Sequence, residues 1–136
     1  MQINKVLITG GAGFIGSELV RQLVAKGTKQ IIVVDNLVNG QRKNIESLPT
    51  DQVQLVVADI RDSQQMADLM SGVDIVFHLA CLGVRHSIHS PHENHDVNAT
   101  ATLQLLSTAK AIGVHRFVYV SSSEVYGTAR SVPMIE

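Results

Sequence analysis

The chain has 136 residues, 45% hydrophobic and 17% charged, with a formal net charge of −1. That composition fits one folded domain, residues 1–136, rather than a disordered or coiled chain. The interspersed charges leave no basic footprint for nucleic acid, no run approaches the ~18 apolar residues of a membrane span, and a single cysteine, Cys81, excludes an internal disulfide framework. Met1–Lys5 leads directly into an apolar run with no signal-peptide pattern, so the expected compartment is the cytoplasm.

Taken in order, strand-like and helix-like segments alternate. Lys5–Thr9 reads as a strand. Gly13–Lys26 reads as a helix, with Phe14, Ile15, Leu19, Val20, Leu23 and Val24 on one face and Gly27 at its C-terminus. A second strand, Ile31–Val34, ends at Asp35. The polar stretch 36–52 contains the turn formers Asn39-Gly40 and Pro49. A third strand covers Val53–Ala58 and ends at Asp59. Ser63–Met70 reads as a short helix, and Asp59 is placed to cap the turn that leads into it. A fourth strand, Asp74–Leu79, is followed by a loop and then a long helix, Pro91–Ala111. The start of that helix carries a capping signal, Ser90-Pro91-His92-Glu93, and Gly113 closes it. A fifth strand, Arg116–Val120, runs into Ser121-Ser122-Ser123, and no further strand or helix is legible after it.

Short Val/Ile-rich strands separated by helices predict an α/β fold, a doubly wound, Rossmann-type parallel sheet with right-handed crossovers. The expected strand order is 3-2-1-4-5, with ligands bound at the carboxyl ends near the switch between strands one and four. The sheet is expected to be truncated before its remaining strands and before a substrate region, making the chain the N-terminal part of a longer protein. An open fifth strand then predicts self-association of the isolated chain.

The chemistry is concentrated at those carboxyl ends. Gly11–Gly16 spells G-x-G-x-x-G between a strand and a helix, and Gly10 adds a glycine at the strand end. Glycines permit the turn, the close approach of backbone to a pyrophosphate, and tight helix–strand packing, while the helix N-terminus offers free N–H groups to phosphate. Asp35 lies nineteen residues after Gly16, close to the ~20 expected of an acid that accepts from the adenosine ribose. A carboxylate there repels a 2′-phosphate, which favours NAD over NADP.

With Asp35-Asn36-Leu37, Asp59-Ile60-Arg61, His78-Leu79-Ala80 and Ser121-Ser122-Ser123-Glu124-Val125-Tyr126-Gly127, these residues resemble the extended short-chain dehydrogenase/reductases. More narrowly, they resemble the NAD-dependent nucleotide-sugar epimerases, dehydratases and decarboxylases. The resemblance implies NAD as cofactor and a nucleotide-sugar as substrate, with no nucleic-acid or membrane partner, and a homodimer in the full-length protein. It implies a pyrophosphate turn at Gly10, Gly13 and Gly16, with backbone contacts from Phe14 and Ile15. Asp35 and Asn36 fall at the adenosine ribose, Asp59 and Ile60 at the adenine, and Leu79, Ala80 and Asn98 along the cofactor. Ser121 and Ser122 fall near the nicotinamide ribose.

The implied reaction removes hydride from the sugar C4 and leads to epimerisation, dehydration or decarboxylation. Ser122 aligns with the serine or threonine that bonds the sugar hydroxyl, Glu124 with a glutamate of the dehydratases and decarboxylases, and Ser123 lies between them as a further catalytic candidate. Leu82–Pro91 instead resembles a loop of hexosamine-nucleotide epimerases. The family's Y-x-x-x-K falls beyond the sequence in hand, and Tyr126 with Arg130 is no substitute for it. The enzyme reading therefore attaches to the full-length protein. A non-catalytic NAD-binding redox-sensing or scaffold module, and a small-carbonyl reductase, are the alternatives.

Other features have plainer readings. His86, His89, His92 and His95 recur every third residue, but Pro91 splits them between loop and helix, and no metal site is expected. His78 reads as a hydrogen-bonded core histidine and Cys81 as a small packing residue.

Overall fold

A computed structural model of the chain describes residues 3–134. Met1, Gln2, Ile135 and Glu136, which include the start of the segment read as leading into the first strand, lie outside the described residues. The strands are β1 (Lys5–Thr9), β2 (Gln30–Asp35), β3 (Val53–Val57), β4 (Ile75–His78) and β5 (Arg116–Tyr119). They form one parallel sheet in the order β3-β2-β1-β4-β5, as the alternating pattern and the right-handed crossover rule require. β1 is central, pairing Leu7 with Ile32 of β2 and with Val76 of β4.

Side chains alternate across the sheet and so build two separate cores. Leu7, Ile32, Val34 and Val76 pack against Met66 and Met70 of α2 (Ser63–Met70) and against Leu105 and Ala109 of α5 (Thr102–Ile112). On the opposite face Val6, Ile8, Ile31, Val33 and Ile75 pack against Val20 of α1 (Phe14–Ala25). Strands buried on both faces need unbroken apolar runs, which is why β1 and β2 read as such. Leu7 is fully buried, and truncating a residue of that kind to alanine costs about 2–5 kcal/mol.

α1 ends as its sequence indicates. Gly27 takes φ +78° and its N–H donates to the Val24 carbonyl at 2.9 Å, while the Thr28 N–H reaches Leu23 at 3.1 Å. Those two bonds satisfy carbonyls the helix leaves open.

The region after β4 departs from the sequence reading. The expected loop contains a helix, α3 (Val84–His89). The long helix is not uniform, because α4 (Pro91–His95) is joined to α5 by a π-wound turn, Asp96–Ala101. The Ser90 hydroxyl does not cap α4, and Glu93 does not complete a capping box. Ser90 already closes α3, its N–H donating to His86 at 2.8 Å, and Glu93 turns to His86 and Arg61 instead. α2 itself is capped by Asp62, whose carboxylate accepts from the Gln65 N–H at 3.0 Å, while Asp59 caps the turn before it, accepting from the Arg61 N–H at 2.9 Å.

Candidate cofactor crevice

Gly10 lies where β1, β4 and α1 converge. Its φ is +70°, and its N–H donates to the Val34 carbonyl at 2.8 Å. A Cβ there would stand 2.8 Å from the Ala80 backbone nitrogen. Gly16, one turn into α1, approaches so closely that a Cβ would stand 2.2 Å from the Gly10 carbonyl oxygen. The first intrahelical bond runs from Ser17 to Gly13 at 3.0 Å, so the N–H groups of Phe14, Ile15 and Gly16 have no intrahelical acceptor. An unshielded helix N-terminus on a side-chain-free floor suits an anionic diphosphate.

Asp35, at the end of β2, is 7% exposed. One carboxylate oxygen accepts from the Ala12 N–H at 3.0 Å and the other from the Leu37 N–H at 2.9 Å. Each oxygen keeps acceptor capacity, and the group borders a cavity of about 390 Å³ that opens along the carboxyl ends of β1 to β4. The same cavity is bordered by Gly10, Gly13, Asn36, Asp59 and Ile60, and by Leu79 and Ala80 at the end of β4. The residues expected at the ribose, the adenine and the glycine turn thus share one wall with the carboxylate.

Arg61, His86 and Glu93 also border this cavity, and none was expected there. The Arg61 guanidinium holds both Asp59 oxygens at 2.9 and 2.6 Å and lies 3.7 Å from Glu93. The second Glu93 oxygen meets His86 Nε2 at 2.8 Å. The row links the end of β3 to α4 and α3 across the cavity mouth. Bonding to the Arg61 guanidinium holds the Asp59 carboxyl below its usual range, in agreement with an ionised pair. Only the folded position of α3 creates this row, so no local sequence signal announces it.

Behind the cavity runs a buried hydrogen-bonded row. Thr102 Oγ1 donates to the Asn98 carbonyl at 2.9 Å, so it must accept from His78 Nε2, also at 2.9 Å. His78 Nδ1 is then the acceptor and Thr9 Oγ1 its donor at 2.6 Å, and Thr9 in turn accepts from the Ala80 N–H at 3.2 Å. Burial pushes the His78 pKa down to about 4, so the ring is neutral, as an accepting Nδ1 requires. His78 is the hydrogen-bonded core histidine that the sequence suggested.

Asn98 is committed to the backbone. Its Oδ1 accepts from the Leu82 N–H at 2.8 Å and its Nδ2 donates to the Leu82 carbonyl at 2.7 Å. In this geometry it positions the chain leaving β4.

A second cavity of about 350 Å³ adjoins the first at Ala80, Cys81 and Leu82 and is bordered by Asn98, Ser121, Ser122 and Glu124. Phe14 and Ile15 border a groove on the α1 side together with Leu79 and Val120. Ser123 borders none of these three. Ser122 Oγ accepts from the Glu124 N–H at 3.3 Å, and this segment is a short 3₁₀ turn, Ser123–Tyr126, where no further helix was legible in the sequence. Among the described residues no three His, Cys, Asp or Glu side chains converge as metal ligands would. Nor is any helix among them long and apolar enough to cross a membrane.

Residues 7–136 match the family described as GDP-mannose 4,6 dehydratase. The chain belongs to this family. Its similarity extends to members of different chemistry. It is 37% identical over 138 residues to a UDP-glucose 4-epimerase of Klebsiella pneumoniae, covering 97% of this chain and 99% of that protein. It is 39% identical over 125 residues to a UDP-N-acetyl-alpha-D-glucosaminuronate decarboxylase of Bacillus cytotoxicus, covering 91% and 38%. The dTDP-glucose 4,6-dehydratase DesIV of Streptomyces venezuelae, solved with NAD bound, superposes with a TM-score of 0.87 at 39% identity, covering 93% of this chain and 42% of that one. The chain thus spans about two fifths of the Bacillus and Streptomyces proteins, and nearly equal identities to the three do not select one reaction.

Proposed function

We propose that this chain holds NAD along the carboxyl edge of its sheet. In the whole protein, the far end of the same crevice engages the C4 hydroxyl of a nucleotide-sugar. The observation that carries the reading is the buried Asp35 carboxylate, anchored by two backbone N–H groups and facing a cavity floored by the glycine turn. The donor set fits the group. N–H groups at the start of α1 suit the pyrophosphate, Asp35 suits a ribose diol, and Ile60 and Leu79 supply apolar walls for a ring. A bound NAD supplies the hydride acceptor.

The remaining roles fall to the second cavity. Ser121 and Ser122 stand beside the nicotinamide end. The Ser122 oxygen accepts the Glu124 N–H, which leaves its own hydrogen for a substrate oxygen. The Glu124 carboxylate can accept a proton from a substrate carbon or hydroxyl, and Ser123 supports the turn that presents both. A carboxylate at this place favours dehydration or decarboxylation over epimerisation. The assembled protein is a cytoplasmic homodimer in this reading, and the Leu103 and Leu106 side chains of α5, 66% and 42% exposed, offer an apolar face for the second copy.

Calorimetric titration of the chain with NAD and with NADP tests the cofactor assignment. Saturable binding of NAD, with NADP at least about tenfold weaker because a second charge meets Asp35, is the expected result. Absence of binding, or preference for NADP, overturns it.

A further inference from the structure

Two features of the turn after β2 converge on the same carboxylate. Leu37 has φ +61°, the one non-glycine residue with positive φ among the described residues. A side chain in that region is unfavourable, and what the chain gains is the Leu37 N–H on the Asp35 carboxylate at 2.9 Å. Three residues on, Gly40 is buried against the other side of the same group. A Cβ on Gly40 would stand 2.6 Å from each of the two Asp35 oxygens, closer than any unstrained contact. The backbone of Gly40 takes no positive φ, so the lack of a side chain there answers to space rather than to chain conformation. Asn39-Gly40 reads in the sequence as an ordinary turn, and nothing local distinguishes a glycine needed for bending from one needed for its missing atom.

We infer that Gly40 is a specificity-determining position: by lacking a Cβ it lets the 36–40 turn close on Asp35 and fixes the carboxylate where it accepts a ribose diol and repels a 2′-phosphate. The inference rests on the NAD reading above. Both Gly40 and Asp35 border the 390 Å³ cavity. A carboxylate is the movable end of its side chain, so a methyl group at residue 40 displaces the acceptor from Ala12 and Leu37 rather than breaking the strand. The consequence falls first on recognition and second on stability. Gly40 acts through Asp35 and is a positioning residue.

The test is a double-mutant cycle of Gly40→Ala and Asp35→Ala, read by titration with NAD and NADP and by thermal unfolding without ligand. With Asp35 in place, Gly40→Ala is expected to weaken NAD by about tenfold or more, as loss of hydrogen bonds to a charged group does. NADP affinity should fall less, so the NAD preference narrows. In the Asp35→Ala background the same substitution should change NAD affinity by less than about twofold, since the oxygens it would meet are gone. Unfolding should obey the same rule, with a midpoint drop of a few degrees only when the carboxylate is present. If Gly40→Ala fails to fold alone, recovery of folding by the added Asp35→Ala supports the inference. Equal effects in both backgrounds, or none in either, overturn it. Wild-type chain that binds no NAD overturns the cofactor reading and, with it, the specificity role, and is told apart from failure of the Gly40–Asp35 contact by the ligand-free unfolding cycle.

Discussion

His78 is fully inside the sheet, yet every polar atom of its ring has a partner: Nε2 donates to Thr102 and Nδ1 accepts from Thr9. A proton added to Nδ1 would bury a charge, which is why its pKa falls to about 4. The folded value lies below the ordinary 6.5 of the unfolded chain. Between those limits the unfolded state binds the extra proton, so stability is full above the unfolded value and is lost as pH falls from 6.5 towards 4. The loss from this one residue is on the order of 3 kcal/mol, levelling off once the folded ring also titrates. Asp59 and Asp74, whose pKa values are lowered by Arg61 and by the Lys5 and Asn4 N–H groups, contribute losses only as pH falls through and below the usual carboxylate range. Urea unfolding of wild type and His78→Gln at steps between pH 4 and 7 checks this. The wild-type curve should be steeper by up to about one proton between pH 4 and 6.5, and parallel curves would show that the ring takes up a proton as readily in the fold as in the unfolded chain.

At the scale of elements, the segment from the end of β4 to α5 departs most from what its sequence suggested. The helical periodicity of residues 91–111 was legible, because Val97, Ala101, Leu105 and Ala109 are the residues that meet the core. The π-wound turn was not, since it depends on where Asn98 and Thr102 find partners: Asn98 on Leu82, and Thr102 on His78 and the Asn98 carbonyl. α3 was also missed. Ser90 looks like a helix start in sequence, but it is shared as the close of one helix and the beginning of the next. The residues between β4 and α4 are thus held by tertiary bonds rather than by local propensity. Asn98→Ala removes the acceptor and donor that satisfy Leu82. The Leu82 carbonyl keeps the Asn94 Nδ2 donor at 3.2 Å, but leaving the Leu82 N–H without its acceptor should cost about 1–3 kcal/mol and weaken NAD binding, because Leu82 joins the two cavities. Urea denaturation with a parallel NAD titration measures both, and unchanged stability would mean that Leu82 finds other partners.

Across the whole molecule, strand order, parallel pairing and the carboxyl-edge crevice arise from the alternation of short apolar strands and helices, and these features were legible from sequence alone. So was the placement of Gly10, Asp35 and Ser121 at the carboxyl ends of strands, while Ser122, Ser123 and Glu124 stood out only through the family resemblance. The row Asp59–Arg61–Glu93–His86 and the role of Gly40 were not, since they join residues far apart in sequence or turn on a missing atom. The apolar Leu103 and Leu106 on α5 carry a prediction at this scale. If the whole protein is the proposed homodimer, Leu103→Glu should shift the mass measured by light scattering from dimer towards monomer, with NAD affinity retained. An unchanged dimer places the interface elsewhere.

The central claim is that Asp35 makes this crevice an NAD site. Its most direct measurement is the ratio of NAD to NADP dissociation constants for wild type and for Asp35→Ala. An NAD preference of at least about tenfold is expected in wild type, falling towards parity in the variant as both the ribose acceptor and the repelling charge are removed. A variant that binds both cofactors as wild type does would contradict it.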